Sequence, residues 1–312
     1  MRYDFAPMEG VTTAFYRRVH SALFGGADRY FAPFISPTSD HLFTPRELRE
    51  LLPENNPGQT LVPQLLCKSG EDALWAVRGL ADMGYEEVDL NLGCPSATVT
   101  AKGKGAGLLR TPDALRELLD TVFAGAEVRI SLKSRLGYTG TEEFPALLEL
   151  YNQYPVAELI LHCRTRQELY AGPVHYEAFD YALAHSRAPV CFNGNLFTAE
   201  DCAAFAAAYP AQGAAMLGRG AARDPALFRR LRGGPPASRE ELRCLHEELY
   251  ALYREAFGAV NGMRRMKELW SYLLCSFSGA EEIRKRMFRT KDVGIFEDCV
   301  AAAFRELPLR WE

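Results

Sequence analysis

The chain has 312 residues, of which 48% are hydrophobic and 24% charged, and a formal net charge of −4 at pH 7. These are ordinary globular values, and the length suits a barrel-sized domain with a small appendage. No apolar run reaches the length of a membrane span, and residues 1–5 lack the apolar core of a signal peptide. The composition therefore excludes a transmembrane protein and gives no global sign of nucleic-acid binding, and we expect a monomeric, cytoplasmic protein.

Short apolar segments separated by amphipathic windows recur along the chain. The segments predict strands over Phe5–Met8, Tyr30–Ile35, Thr60–Leu66, Val88–Leu92, Val128–Lys133, Leu159–His162, Val190–Asn193 and Ala214–Leu217. The windows predict helices, among them Gly70–Met83, Pro112–Phe123, Glu142–Tyr154 and Thr198–Ala208. About eight strand–helix units over roughly 230 residues are typical of a (β/α)₈ TIM barrel. An open, doubly wound parallel sheet remains the alternative, because a single sequence does not reveal closure.

The pattern changes after the eighth unit. Gly233-Gly234-Pro235-Pro236 interrupts regular structure, and Ser238 followed by Glu240 and Glu241 is typical of a helix N-terminus. From there, apolar residues recur with helical spacing only. We predict a barrel domain over residues 1–232 and a small all-α domain over 239–312, with helices packed back on the barrel as the alternative.

The most informative segment is the fourth predicted strand and the turn that follows it. Val88, Leu90 and Leu92 alternate with Asp89 and Asn91, and the strand runs into Gly93-Cys94-Pro95. A Gly-rich loop, 96–107, follows and carries Lys102 and Lys104. A thiol at a strand end beside a mobile, cationic loop predicts chemistry on an anionic substrate. The alternative is that Cys94 is a small buried hydrophobe.

The eight cysteines are scattered singly, without a Cys-x-x-Cys pair or a Cys/His cluster. We therefore expect no metal site and reduced thiols. Gly103-Lys104-Gly105-Ala106-Gly107 lacks the Gly-x-Gly-x-x-Gly spacing and a directly preceding strand, so a loop hinge is favoured over a dinucleotide site. No Gly-x-Ser-x-Gly elbow supports a hydrolase.

Polar residues mark the carboxyl ends of the predicted strands, where barrel enzymes hold their active sites. In chain order these residues are Pro7, Met8, Glu9, Gln64, Asn91, Cys94, Lys133, Arg135, His162, Arg164, Asn193, Gly194, Asn195, Gly218 and Arg219. The Asn-Gly-Asn and Gly-Arg-Gly turns after the last two strands suit a phosphate. A cation such as Lys133 would stabilise charge that develops on a reduced ring. The alternative for His162 is a hydrogen-bonded core histidine.

Basic residues also cluster in the predicted helical domain. One cluster holds Arg264, Arg265 and Lys267, and a second holds Arg284, Lys285, Arg286, Arg289 and Lys291, with Tyr272, Phe277 and Phe288 nearby. Such clusters can contact nucleic-acid phosphates, although a solvated helix face is the alternative.

Taken together, these motifs resemble the tRNA-dihydrouridine synthases, FMN-dependent enzymes that reduce uridines of tRNA. The resemblance spans essentially the whole chain. It rests on residues 6–10, 62–64, 89–95, 107–109, 132–137, 162–165, 167–172, 193–194 and 218–219.

The resemblance implies an FMN-binding barrel and a helical tRNA-binding domain. It implies that NADPH reduces FMN, that hydride passes to C6 of a uridine in the D-loop region, and that Cys94 protonates C5. Implied cofactor contacts are Pro7, Met8, Glu9, Gln64, Lys133, His162, Asn193, Gly194, Asn195, Gly218 and Arg219. Implied contacts to the uracil and nearby RNA are Asn91, Lys102, Lys104, Arg135 and Arg164.

Two other functions remain open at this point. A dihydroorotate dehydrogenase-like flavoenzyme would act on a free pyrimidine and would not need the basic helical domain. A non-catalytic tRNA-binding chaperone would have no use for Cys94, Lys133 and His162. The tRNA position, the preference for NADPH over NADH and the docking site of NADPH are not encoded recognisably.

Overall fold

A computed structural model describes residues 1–311 of the chain. Within that range lie nine strands, all parallel to their neighbours. They are β1 Arg2–Phe5, β2 Arg29–Phe31, β3 Leu61–Val62, β4 Gln64–Leu65, β5 Glu87–Leu92, β6 Arg129–Arg135, β7 Leu159–His162, β8 Val190–Asn193 and β9 Ala214–Leu217.

The strands form a barrel that is nearly closed. Their order is β3-β2-β1-β9-β8-β7-β6-β5-β4, so that the two ends of the series are β3 and β4. These two are consecutive in the chain and are separated only by Pro63, which has no N–H to donate. The Pro63 carbonyl still accepts from Asp89 N at 2.9 Å, so β3 and β4 act as one interrupted strand. The prediction of a TIM barrel is confirmed.

Helices alternate with the strands. They are α1 Ala14–Leu23, α2 Pro45–Leu51, α3 Gly70–Asp82, α4 Ala97–Thr100, α5 Pro112–Gly125, α6 Phe144–Tyr151, α7 Tyr176–His185, α8 Ala199–Ala208, α9 Arg219–Arg223 and α10 Leu227–Leu231. Short ones such as α4 and α9 lie at the carboxyl end of the barrel. Four more helices follow: α11 Arg239–Phe257, α12 Ala259–Leu273, α13 Glu281–Arg289 and α14 Val293–Glu306. No helix within residues 1–311 is long and apolar enough to cross a membrane.

Prolines explain why the first two strands end earlier than the hydrophobic pattern predicts. Phe5–Met8 was expected as a strand, but β1 covers Arg2–Phe5, because Ala6 N makes the last ladder bond, to Leu217 O at 2.8 Å, before Pro7. In the same way Ala32 N bonds to Val62 O at 3.0 Å, and Pro33 then ends the ladder of β2. Backbone at the carboxyl edge of the barrel is thereby released to line a site.

The opposite, amino-terminal end of the barrel is filled by ion pairs. Asp4, fully buried, accepts from Arg29 Nη2 at 2.7 Å, and Arg29 also contacts Glu87 and Glu158. Each buried charge there has a partner of opposite sign, which is the condition for burying it. These polar strand residues therefore stabilise the barrel and lie at the end away from the candidate site.

The C-terminal helices pack on each other and against the barrel. The helix α11 contacts α12 and α1, and α12 contacts α9. Ser238 caps α11, and Glu241 in its first turn bonds Arg229 of α10 at 2.6 Å. These contacts hold α12 beside the carboxyl ends of the barrel strands.

Candidate active site

The carboxyl ends of the strands surround a cavity of about 870 Å³. Most of the sequence-predicted site residues line it, namely Pro7, Met8, Glu9, Gln64, Asn91, Cys94, Lys133, Arg135, His162, Asn193, Gly194, Gly218 and Arg219. Strand register brings them together, since Asn91 lies beside Lys133, Arg135 beside His162, and His162 beside Asn193. Residues paired across a parallel sheet point to the same face, so these side chains form two adjacent rows inside the barrel, one with Asn91 and Lys133 and the next with Arg135, His162 and Asn193.

Lys133 links these two rows. Its Nζ donates to Asn193 Oδ1 at 2.9 Å, and Asn193 Nδ2 donates to Met216 O at 2.8 Å. Burial lowers the pKa of Lys133, whereas the nearby Asp89 carboxylate favours the charged ammonium. The result is a cation of fixed position on the cavity wall.

Cys94 occupies a turn that is anchored at both of its backbone groups. Its N–H donates to Asn91 Oδ1 at 2.8 Å, and its carbonyl accepts from Ala106 N at 3.1 Å. The side chain is partly exposed on the cavity wall. Burial raises the pKa of the thiol, so it stays protonated near neutral pH.

Much of the Gly-rich loop after Cys94 forms regular structure. Residues 97–100 form α4, and the 3₁₀ helix Gly105–Arg110 is buried from Gly105 to Leu109. Gly105 has φ +56°, and a Cβ there would lie 3.0 Å from both Cβ and O of Cys94. The glycine is therefore required so that the loop can pack against the Cys94 turn.

His162 is neutral because it is buried and because cations surround it. Burial, followed by the charges of Arg135, Lys133, Arg164 and Arg219, lowers the pKa of His162 well below its usual range. Its Nε2 lies 3.2 Å from Arg164 Nη1. Since a guanidinium only donates, Nε2 accepts and the ring proton resides on Nδ1. The imidazole can thus donate a hydrogen bond from Nδ1 without carrying a charge.

Four of the sequence-predicted site residues do not line the cavity. Arg164 is 1% exposed and donates from Nε to Gly172 O at 2.6 Å, so it acts on the site through His162. Lys104 Nζ donates to Ser36 Oγ at 2.6 Å, and Lys102 is exposed on the loop. Asn195 Oδ1 accepts from Arg219 Nη2 at 3.0 Å and so orients that guanidinium.

Arg135 is more constrained than its strand-end position predicts. Its guanidinium donates to Gly93 O at 2.8 Å, to Thr165 O at 2.9 Å and to Leu169 O at 2.8 Å. Leu169 has φ +52°, a left-handed conformation that is costly for a leucine and is held here by the Arg135 bond. Arg135 therefore joins the Cys94 turn to the loop that follows β7.

Sequence reasoning missed several side chains of the cavity. Tyr170 lies over Arg135 and Arg219, with distances from ring centroid to Cζ of 5.2 and 5.0 Å. Glu268 and Tyr272 extend from α12, and the Glu268 carboxylate fills the space beside Gly10, where a Cβ would lie 2.4 Å from it. Burial and the charge of Glu9 raise the pKa of Glu268. Tyr170 belongs to the motif at residues 167–172, whereas no pattern in the sequence around Glu268 or Tyr272 indicates that these residues reach the barrel.

Comparisons with known proteins agree with this arrangement. The family model described as "Dihydrouridine synthase (Dus)" matches residues 4–307. The chain is 32% identical over 318 residues to the tRNA-dihydrouridine(16) synthase of Ralstonia nicotianae, covering 96% of both chains. It is 29% identical over 297 residues to a probable tRNA-dihydrouridine synthase of Staphylococcus epidermidis, covering 93% of this chain and 90% of that one.

Among solved structures, the old yellow enzyme from Trypanosoma cruzi shares the fold. The TM-score is 0.54 at 10% identity, over 76% of this chain and 89% of that one. The match of the family model over nearly the whole length shows that the chain belongs to the dihydrouridine synthase family.

Proposed function

We propose that this protein reduces a uridine in the D-loop region of tRNA to 5,6-dihydrouridine, with Cys94 as the proton donor. The observation that carries the proposal is a protonated, partly exposed thiol on the wall of a cavity that is also lined by the cations Lys133, Arg135 and Arg219. The family membership supports a tRNA substrate. Because the relative from Ralstonia nicotianae is named for position 16, we propose position 16 as the uridine modified.

The residues of the cavity fit FMN as the resident cofactor. Lys133, Arg135, Arg164 and Arg219 all disfavour a charge on His162, which leaves an excess of positive charge suited to a phosphate and an electron-rich ring. Pro7, Met8 and Glu9 would border the ring, and Gln64, Lys133 and His162 would donate hydrogen bonds to it. Asn193, Gly194, Gly218 and Arg219 would hold the phosphate, with Asn195 orienting Arg219.

The bound FMN, reduced by NADPH, would supply hydride to C6 of the uracil. Cys94 would deliver its proton to C5 from the other side of the ring, and Asn91 and Arg135 would hold the base. The uridine must leave the tRNA stack to reach this cavity, at a cost of a few kcal/mol. We propose that the helical domain, residues 239–312, offsets this cost through contacts to tRNA phosphates.

The Cys94→Ala variant tests the proton donor. We expect it to retain FMN and tRNA binding and to lose dihydrouridine formation by about 10²-fold or more, as is usual when a general acid is removed. Dihydrouridine would be mapped by mass spectrometry in tRNA from a deletion strain that expresses the variant.

The matched control is Cys244→Ala, which removes another partly exposed thiol, on α11 and outside the cavity. It should modify tRNA as the unaltered protein does. Full modification by Cys94→Ala would refute the donor role, and modification at a position other than 16 would refute the position.

A further inference from the structure

A chain of hydrogen bonds joins the buried carboxylate of Asp89 to the backbone of the Cys94 turn. Gln64 Nε2 donates to Asp89 Oδ2 at 2.6 Å, and Asn91 Nδ2 donates to Gln64 Oε1 at 2.8 Å. Asn91 Oδ1 then accepts from the N–H groups of Gly93 at 3.1 Å and Cys94 at 2.8 Å. Three side chains thus form one uninterrupted relay.

The two ends of this relay determine its direction. Backbone N–H groups only donate, so Asn91 must turn its oxygen toward them and its amide nitrogen toward Gln64. Asn91 Nδ2 then donates to Gln64 Oε1, which turns the Gln64 nitrogen toward Asp89 Oδ2, the acceptor at the other end. With both ends fixed, each of the two amides has a single orientation that satisfies every partner.

Asp89 acts on the cavity through its neighbours and not by direct contact. It is fully buried in β5 and does not line the cavity, whereas Gln64, Asn91 and Cys94 do. Burial raises the pKa of Asp89, while hydrogen bonds from Gln64 and Ser131 and the charge of Lys133 favour its ionised form. The Ser131 hydroxyl donates to the other oxygen, Oδ1, at 3.0 Å and takes no part in the relay.

We propose that Asp89 is a positioning residue that holds the Cys94 turn, through Gln64 and Asn91, in the conformation needed for proton transfer. Only the role of the thiol rests on the proposed function. The hydrogen-bonded path itself is independent of cofactor and substrate.

The Asp89→Asn variant tests this path at nearly constant volume. An amide at position 89 can still accept from Gln64 Nε2 but carries no charge, so the hydrogen bond at the buried end of the relay becomes weaker. We expect alkylation of Cys94 by iodoacetamide, assigned by mass spectrometry, to become at least about threefold faster because the turn loosens. In the enzyme with FMN bound, kcat for dihydrouridine formation should fall about tenfold, while KM for tRNA should change less than about twofold.

Ser131→Ala is the matched control, because it removes a buried hydrogen bond to the same carboxylate outside the relay. Its Cys94 alkylation and kcat should remain within about twofold of the unaltered protein. If Asp89→Asn does not fold, Gln64→Met interrupts the relay at its centre and should accelerate alkylation in the same way.

Two results would overturn the positioning role. One is unchanged alkylation of Cys94 in the folded relay variant, and the other is an equal change in Ser131→Ala. A Cys94→Ala protein with full activity would instead overturn the proposed function, since the alkylation comparison does not depend on turnover.

Discussion

Cys94 combines a protonated thiol with access to a cavity, which are the two requirements of a proton donor. Its pKa is raised first by burial and then by the charge of Glu9, and it is lowered by the Ser96 backbone and by Arg135 and Lys133. The net effect is a raised pKa, so the protonated thiol predominates at physiological pH. A cysteine used as a nucleophile needs the opposite shift.

The direction of that shift predicts the pH dependence of turnover. The reactive form is the protonated thiol, so the single-turnover rate of dihydrouridine formation should be flat near neutrality and fall as pH rises through the pKa. Because burial raises that pKa, the fall should begin above the ordinary thiol value of about 8.5. A rate that increases between pH 7 and 8.5 would contradict a thiol acid.

His162 and Arg164 show how a neighbouring side chain can determine the protonation state and tautomer of a site residue. Arg164 was predicted as a contact to RNA, but its guanidinium is buried and donates to His162 Nε2. It thereby selects the Nδ1–H tautomer and helps keep the imidazole neutral. The sequence shows only that the two residues lie two positions apart.

At the scale of elements, the segment from α4 to the 3₁₀ helix Gly105–Arg110 supports the Cys94 turn. Gly103 and Gly105 both have positive φ, of +68° and +56°. The nearest atom to a Cβ at Gly103 is Lys68 Cδ, at 3.9 Å, whereas a Cβ at Gly105 meets Cys94 at 3.0 Å. Alanine at either position would strain the backbone, but only alanine at Gly105 would also disturb the packing against the Cys94 turn.

We predict that Gly105→Ala lowers dihydrouridine formation at least about tenfold and that Gly103→Ala changes it less than about twofold. Both should lose about 1–2 kcal/mol of unfolding free energy, because an alanine is strained in the left-handed region. Denaturant unfolding together with single-turnover rates would separate the two effects. Equal activities of the two variants would argue against support of the turn by Gly105.

At the scale of the whole molecule, α12 brings the C-terminal helices to the cavity, and α13 carries most of the second basic cluster. Lys285, Arg286 and Arg289 are exposed on α13, while Arg284 is partly buried. Some other members of the predicted basic and aromatic set make contacts within the protein. Phe277 is buried in the core, and Arg265 stacks on Phe257 at 4.1 Å.

We predict that reversing two of these exposed charges, with Arg286→Glu and Arg289→Glu together, raises the Kd for tRNA about tenfold. The slope of log K against log salt should become shallower by about 1–2, since up to two phosphate contacts are lost. NADPH oxidation without tRNA should be unchanged.

The matched control combines Arg78→Glu and Arg116→Glu. These two exposed arginines lie on the barrel helices α3 and α5, so the net charge changes by the same amount. A comparable loss of tRNA affinity in this control would indicate a general charge effect instead of a binding surface on α13.

The sequence by itself determined the order of strands and helices and most residues at the strand ends. Hydrophobic periodicity, prolines and glycines determine the conformation of nearby residues, so these features can be predicted along the chain. The barrel then carries every strand end to one face, which is why Gln64, Cys94, His162 and Arg219 line one cavity although they are distant in sequence.

Only the tertiary structure decided what these residues contact. The relay from Asp89 to Cys94, the burial of Arg164 and the arrival of Glu268 from α12 depend on which atoms face each other across neighbouring strands and between barrel and helices. Those distances follow from strand register and helix packing, which residues far apart in sequence set jointly. A hydrogen bond forms or fails over a few tenths of an ångström, and a one-dimensional pattern does not carry that information.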